Sequence, residues 1–186
     1  MKLARLDTKG RSDFCTPALR DKLIAKCKRE DLKFVLFCGF HAGMRKAETI
    51  EARPDWFDLK NKSIRVRKTD TFRPKDREER PIPMTNAFKT FLKAYGLRSP
   101  FMLHPEIPHG RSHYRWDFRR PWTEYVAQQK CPWVTPHVMR HTFASLFASA
   151  GVSIYKIAEW LGDDMRVVQK HYAKLHPKDA DIEAAF

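Results

Sequence analysis

Residues 135–145 read TPHVMRHTFAS. Thr135 followed by Pro136 is a helix start: the threonine hydroxyl caps unpaired N–H groups, and a proline at the first helical position has no N–H to lose. His137 then falls in the first turn, where unpaired backbone N–H groups and the positive end of the helix dipole favour an anion. Arg140 lies three residues on along the same face, and Phe143, Leu146 and Phe147 offer a core-facing side. His137 and His141 stand i, i+4 apart, as in a two-histidine metal site, but Arg140 between them repels a cation and the segment has no carboxylate to complete the ligands. No metal and no cofactor is expected. Two readings remain: capping and surface residues above a core, or a place built to hold an anion.

Charge favours the second. The chain has 186 residues, 36 Lys+Arg against 22 Asp+Glu and a formal net charge of +14, an excess that points to a polyanionic partner. A hydrophobic content of 42%, with five Trp and thirteen Phe, supplies one sizeable core and not two. Cys15, Cys27, Cys38 and Cys131 form no CxxC pair, which excludes a zinc ribbon and fits reduced thiols in a cytosol. The opening MKLARLDTKGR has no apolar signal-peptide core, and no apolar run approaches the ~20 residues of a membrane span. A soluble cytoplasmic protein with no membrane partner is expected.

Outward from the opening stretch, periodicity predicts a mainly helical chain. Residues 1–13 read as a linker or arm. Thr16-Pro17 starts an amphipathic helix with Leu19, Leu23 and Ile24 on one face, and DLKFVLFCGFHAG is apolar almost all round, as in a helix buried at the centre of a domain. MRKAETIEA restarts as a short helix. WFDLKNKSIRVRK alternates apolar and charged positions about an Asn61 turn, and ERPIPM adds a third extended run, so a small antiparallel sheet is predicted. Positions 60, 62, 65, 67, 68, 73, 75, 77 and 80 are Lys or Arg, giving the sheet a basic edge. NAFKTFLKAYG is helical, and RWDFRRPWTEYVAQQ is helical with a kink or split at Pro121. After the 135–145 helix, Ser153 caps SIYKIAEWLG, and Asp163 or Asp164 caps DMRVVQKHYAKL, which His176-Pro177 stops.

The set GMRKAE, HVMRHTFA and LGDDMRVVQKHY, in that order, resembles the catalytic domain of the tyrosine recombinases, the phage-integrase family. The likeness runs from about Asp13 to about Leu175. It implies an α+β, mainly helical fold with a small three-stranded antiparallel sheet, clasping duplex DNA, over residues 14–176 with a tail at 177–186. It also implies a site-specific recombinase or integrase that cuts and rejoins strands through a 3′-phosphotyrosine. A non-cleaving DNA-binding protein of this fold and a type IB topoisomerase-like nicking enzyme are the alternatives. Self-association to a tetramer on DNA, from a monomer in isolation, and a nucleoid-associated setting in a bacterium or phage host are further implications.

By the same resemblance Tyr172 is the nucleophile, Arg45 and Arg140 clamp the phosphate, His137 handles the tyrosine proton and Lys68 protonates the leaving 5′ oxygen. Lys75 is its rival in the long loop KTDTFRPKDREER, and Glu48 orients Arg45. Arg65, Arg67, Lys75, Arg77 and His171 are expected along the DNA. Nine residues before the tyrosine the family usually carries His or Trp, a donor to the phosphate; here it is Asp163, which when ionised accepts only. Capping of the last helix is the simplest reading of Asp163; compensation by His171 or a backbone N–H, and a slow enzyme, are the others. Duplex DNA affinity should fall steeply between about 50 and 200 mM salt, as counterion release requires; an anisotropy titration with a flat salt response would assign the charge to another partner.

Overall fold

The computed structural model describes residues 14–69, 72–73, 79–103 and 118–175. Eight helices and three strands follow one another: α1 (Pro17–Lys26), α2 (Glu30–Ala42), α3 (Lys46–Glu51), β1 (Phe57–Asp58), β2 (Ser63–Val66), β3 (Arg80–Pro83), α4 (Asn86–Tyr95), α5 (Arg119–Gln128), α6 (Pro136–Ser149), α7 (Ile154–Leu161) and α8 (Met165–Tyr172). Single 3₁₀ turns lie at Pro54–Trp56 and Ala173–Leu175. The strands form one antiparallel sheet in the order β1-β2-β3, with Phe57 opposite Ile64 and Ile64 opposite Ile82.

Helix α2 is central because it is apolar on every side: Leu32, Ala42 and the whole run from Phe34 to Phe40 are buried. Phe34 stacks on Tyr95 at 5.3 Å and Phe37 on Phe91 at 4.6 Å, which fixes α4 against one flank. On another flank α6 packs closely at Gly39, where a Cβ would stand 2.7 Å from Met139 Cβ. That contact sets the spacing of the two helices, and α6 carries Arg140. The loop after α2 turns through Gly43 in the left-handed region at φ 59°. β3 lies against α7, so sheet and C-terminal helices meet beside the start of α3.

Two expected caps are made, Thr16 and Thr135 accepting from Leu19 and Val138 N–H, and Thr85 accepts from Phe88 N–H at the start of α4 in the same way. Ser153 stands at the N-cap position of α7, but its side chain makes no capping hydrogen bond. Three further positions differ. Pro121 neither kinks nor splits a helix, because α5 begins at Arg119 and the proline falls in the first turn, where its N–H has no intrahelical acceptor to miss. Arg80 does not belong to the basic edge: it shares the inward face of β3 with Ile82 and is 5% exposed. Asp164, not Asp163, caps α8, accepting from Arg166 N–H at 2.7 Å. Residues 1–13, Lys75, Arg77, His176-Pro177 and the 177–186 tail lie outside the described residues.

All four cysteines are free and buried, and burial raises their thiols, Cys15 to about 11. No described helix is long and apolar enough to cross a membrane. Gly39→Ala should cost about 1–3 kcal/mol, because the clash is with a Cβ rather than a flexible tip and α2 and α6 must separate to relieve it; thermal unfolding compared with wild type measures it.

Candidate active site

A helix leaves its last carbonyls without intrahelical partners. At the end of α7 each of three successive carbonyls takes an arginine from a different element. Trp160 O accepts from Arg80 Nε at 2.9 Å, Leu161 O from Arg140 Nη2 at 2.7 Å and Gly162 O from Arg45 Nη2 at 2.6 Å. The negative end of the helix dipole favours cations here. Gly162, at φ 58°, turns the chain out of the helix, and a Cβ on it would sit 3.0 Å from Arg80 Cδ.

Two carboxylates tie the arginines together. Glu48, 1% exposed, accepts from Arg80 Nη2 at 2.6 Å, from Arg45 N–H at 2.7 Å and from Arg45 Nη1 at 3.3 Å. Asp163 bridges the other pair: Oδ1 accepts from Arg45 Nη2 and Oδ2 from Arg140 Nη2, both at 2.7 Å. Arg140 Nη1 also donates to Gly43 O at 2.7 Å, so the guanidinium is bonded on both arms. Burial by itself would raise the Asp163 carboxyl; the charge and hydrogen bond of Arg140, then of Arg45, outweigh it and hold the group below the usual range. Glu48 is held low in the same way, burial being offset chiefly by Arg80. Asp163 therefore serves neither as a cap nor as a bare negative charge, and the sequence expectation of capping is corrected.

Tyr172 ends α8, buried to 8% exposure. Its hydroxyl lies 2.8 Å from His141 Nδ1, with the rings 5.1 Å apart. Burial pushes the phenol up to about 12, Arg140 opposing and Asp163 adding to the rise. His141 is pulled down to about 4 by burial and then by His137 and His171, so it is neutral near pH 7. His137 is exposed, one turn earlier on α6, and makes no hydrogen bond to a described residue.

Arg45, Arg140 and Asp163 thus meet at the α7–α8 junction and Tyr172 pairs with His141 at the other end of α8, while Lys68 is exposed two residues past the end of β2. Arg65 is exposed on β2; Arg67 faces Asp55 at 3.5 Å; His171 is exposed with its ring 6.2 Å from that of Tyr172. Among the described residues no group of three or more His, Cys, Asp or Glu is placed to hold a metal ion. Arg80 was missed by sequence reasoning, although its period-two spacing to Ile82 and Met84 marks the inward face. His141 was weighed only as a metal ligand, and nothing local in the sequence joins it to a tyrosine 31 residues away.

The model of the phage integrase family matches residues 16–178, and the chain belongs to that family. Tyrosine recombinase XerA of Saccharolobus solfataricus is 26% identical over 151 residues, 80% of this chain and 47% of that protein. The chain therefore spans about half the length of this curated relative. Among solved structures, the catalytic domain of bacteriophage HP1 integrase superposes with a TM-score of 0.65 at 18% identity, over 93% of this chain and 94% of that one. The Tn1549 transposon integrase in complex with circular intermediate DNA gives 0.68 at 19% identity, over 96% and 66%. At these identities the structural likeness is one of fold.

The pairing generates an acid-stability profile. His141, and His41 near the end of α2, are half-buried and lowered to about 4; they refuse protons that the unfolded chain takes, so stability falls as pH drops from about 6.5 towards 4. Glu48 and Asp163, held low, contribute stability above about pH 4 that is lost as pH falls through their folded values. Asp163→Asn should lower stability at pH 7 by about 1–3 kcal/mol, less than for an enclosed pair because 29% of the side chain is exposed, and should flatten the lower step. Thermal melts at pH 7, 5 and 3.5 measure both effects.

Proposed function

We propose that this chain is the catalytic domain of a site-specific DNA recombinase or integrase, cutting and rejoining strands through a covalent 3′-phosphotyrosine at Tyr172. The observation that carries this is the pair of guanidiniums, Arg45 and Arg140, held on a single anion at the α7–α8 junction, with the Tyr172 hydroxyl in the electrostatic field of Arg140 and Asp163. Two arginine forks suit the non-bridging oxygens of a phosphodiester. Held by the fold before substrate arrives, they stabilise charge as it develops in the transition state.

In this reading Tyr172 Oη attacks the scissile phosphorus in line, the P–O5′ bond breaks, and Lys68, or Lys75 from the same loop, gives the leaving oxygen its proton. His137 manages the tyrosine proton. Glu48 is a positioning residue for Arg45 and Arg80. Asp163 holds the anion's place between the guanidiniums, and the phosphate takes over or shares those N–H donors when DNA binds. Arg65, Arg67, Arg77 and His171 lie along the backbone of duplex DNA. Residues 14–176 form the catalytic unit, with an arm before and a tail after it, and the domain assembles as a tetramer on DNA within a bacterial or phage-host nucleoid.

Asp163 favours a second reading, a protein of this fold that binds DNA without cutting, since its carboxylate already occupies both clamp arginines. A pool of nicked suicide duplexes made from genomic fragments separates the two. An active enzyme leaves DNA covalently attached after denaturation, in the presence of EDTA as in its absence. Tyr172→Phe should abolish that adduct and change DNA affinity by no more than a few-fold. An adduct that survives Tyr172→Phe assigns another nucleophile, a need for magnesium overturns the recombinase reading, and binding with no adduct supports the non-cleaving one.

A further inference from the structure

Tyr172 is the end of a short α8, and its only hydrogen-bond partner among the described residues is His141 Nδ1, at 2.8 Å. The contact joins two helices across 31 residues of chain, with Tyr172 buried and His141 half-buried. The HVMRH segment offers two histidines one turn apart. His137 sits in the first turn of α6, exposed and without a described partner, whereas His141 is half-buried and touches the reacting oxygen itself. The ring of Phe14 stands edge-on to the imidazole, its centroid 6.2 Å away.

We propose that His141 is a catalytic residue: its Nδ1 accepts the hydrogen bond of the Tyr172 hydroxyl in the resting protein and takes that proton as the phosphotyrosine forms. This rests on the reading of Tyr172 as nucleophile. In the step, Tyr172 Oη bonds to phosphorus, the P–O5′ bond breaks, the phenolic proton passes to His141 Nδ1, and the 5′ oxygen receives a different proton from a lysine. In rejoining, the 5′ hydroxyl gives its proton back to the lysine as its oxygen bonds to phosphorus, the P–Oη bond breaks and His141 returns the other proton to Tyr172 Oη. His137 keeps its part in managing the tyrosine proton, as the exposed group that relays it between His141 and water.

The electrostatics fit an acceptor that rests neutral. The titratable groups facing His141 are His137 from its own helix and His171 and Tyr172 from α8; the two histidines, with burial, keep the imidazole unprotonated and its lone pair available. An arriving phosphate adds negative charge beside it, which favours the imidazolium when the proton moves. The bond also fixes the tautomer: with Nδ1 accepting, the ring proton sits on Nε2.

Two measurements decide it. In ¹⁵N-histidine NMR of the full chain, without DNA, His141 should show the Nε2–H tautomer, with an Nδ1 signal that shifts in Tyr172→Phe. A proton on Nδ1 would make His141 a donor and overturn the proposal. On the pooled nicked duplexes, His141→Gln, which can keep a hydrogen bond but cannot take a proton, should slow adduct formation by ~10²–10³-fold at DNA affinity within about twofold. Raising the pH, which ionises the phenol directly, should recover part of that rate. Wild-type adduct rates in His141→Gln, with the adduct still lost in Tyr172→Phe, overturn the role of His141 alone. An adduct that survives Tyr172→Phe overturns the nucleophile reading instead.

Discussion

Three orphan carbonyls at the end of α7 are the constraint on which the rest of the site depends. Trp160, Leu161 and Gly162 can satisfy them only with donors from outside the helix, and Arg80, Arg140 and Arg45 arrive from β3, α6 and the start of α3. One helix end thus gathers the sheet, the central helix pair and the short third helix at a single point. The guanidiniums are bonded where they stand, so their direction does not wait on a substrate. Orientation of the guanidiniums and closure of the fold are here the same set of hydrogen bonds.

Asp163 shows how the charge is managed. Three arginines converge where solvent is largely shut out, and Glu48 and Asp163 are the two carboxylates that make this tolerable. Glu48 is enclosed and bonds three donor atoms, so it belongs to the scaffold. Asp163 is part-exposed and faces the two arginines that the recombinase reading assigns to phosphate. The family's usual histidine or tryptophan at that position would add a donor; this chain adds an acceptor and leaves the two arginines compensated from within.

Legibility in the sequence followed the range of the interaction. Helix starts were readable because Thr16 and Thr135 act within three residues of themselves, and α2 because a helix enclosed on all sides must be apolar on all sides. Resemblance singled out Arg45, Arg140 and Tyr172 as candidates because each sits in a recognisable local context. Pairings across the fold were not. Asp163 and Asp164 are equivalent as caps in one dimension, and the angle at which α7 hands over to α8 decides that one caps while the other turns to the arginines. Arg80 looked like one more surface cation in a basic stretch, because only the sheet's placement against α7 gives it carbonyl and carboxylate partners. His141 acquires its meaning from a tyrosine on another helix.

The enclosed cysteines carry a practical consequence. Thiol-directed dyes react with accessible thiolates, and Cys15, Cys27, Cys38 and Cys131 are buried with their ionisation suppressed. A single cysteine introduced on the outer surface, at the exposed Tyr155 for instance, would therefore take a fluorophore selectively in the folded wild-type background. Individual molecules could then be followed optically, without first stripping the core of its native sulfur.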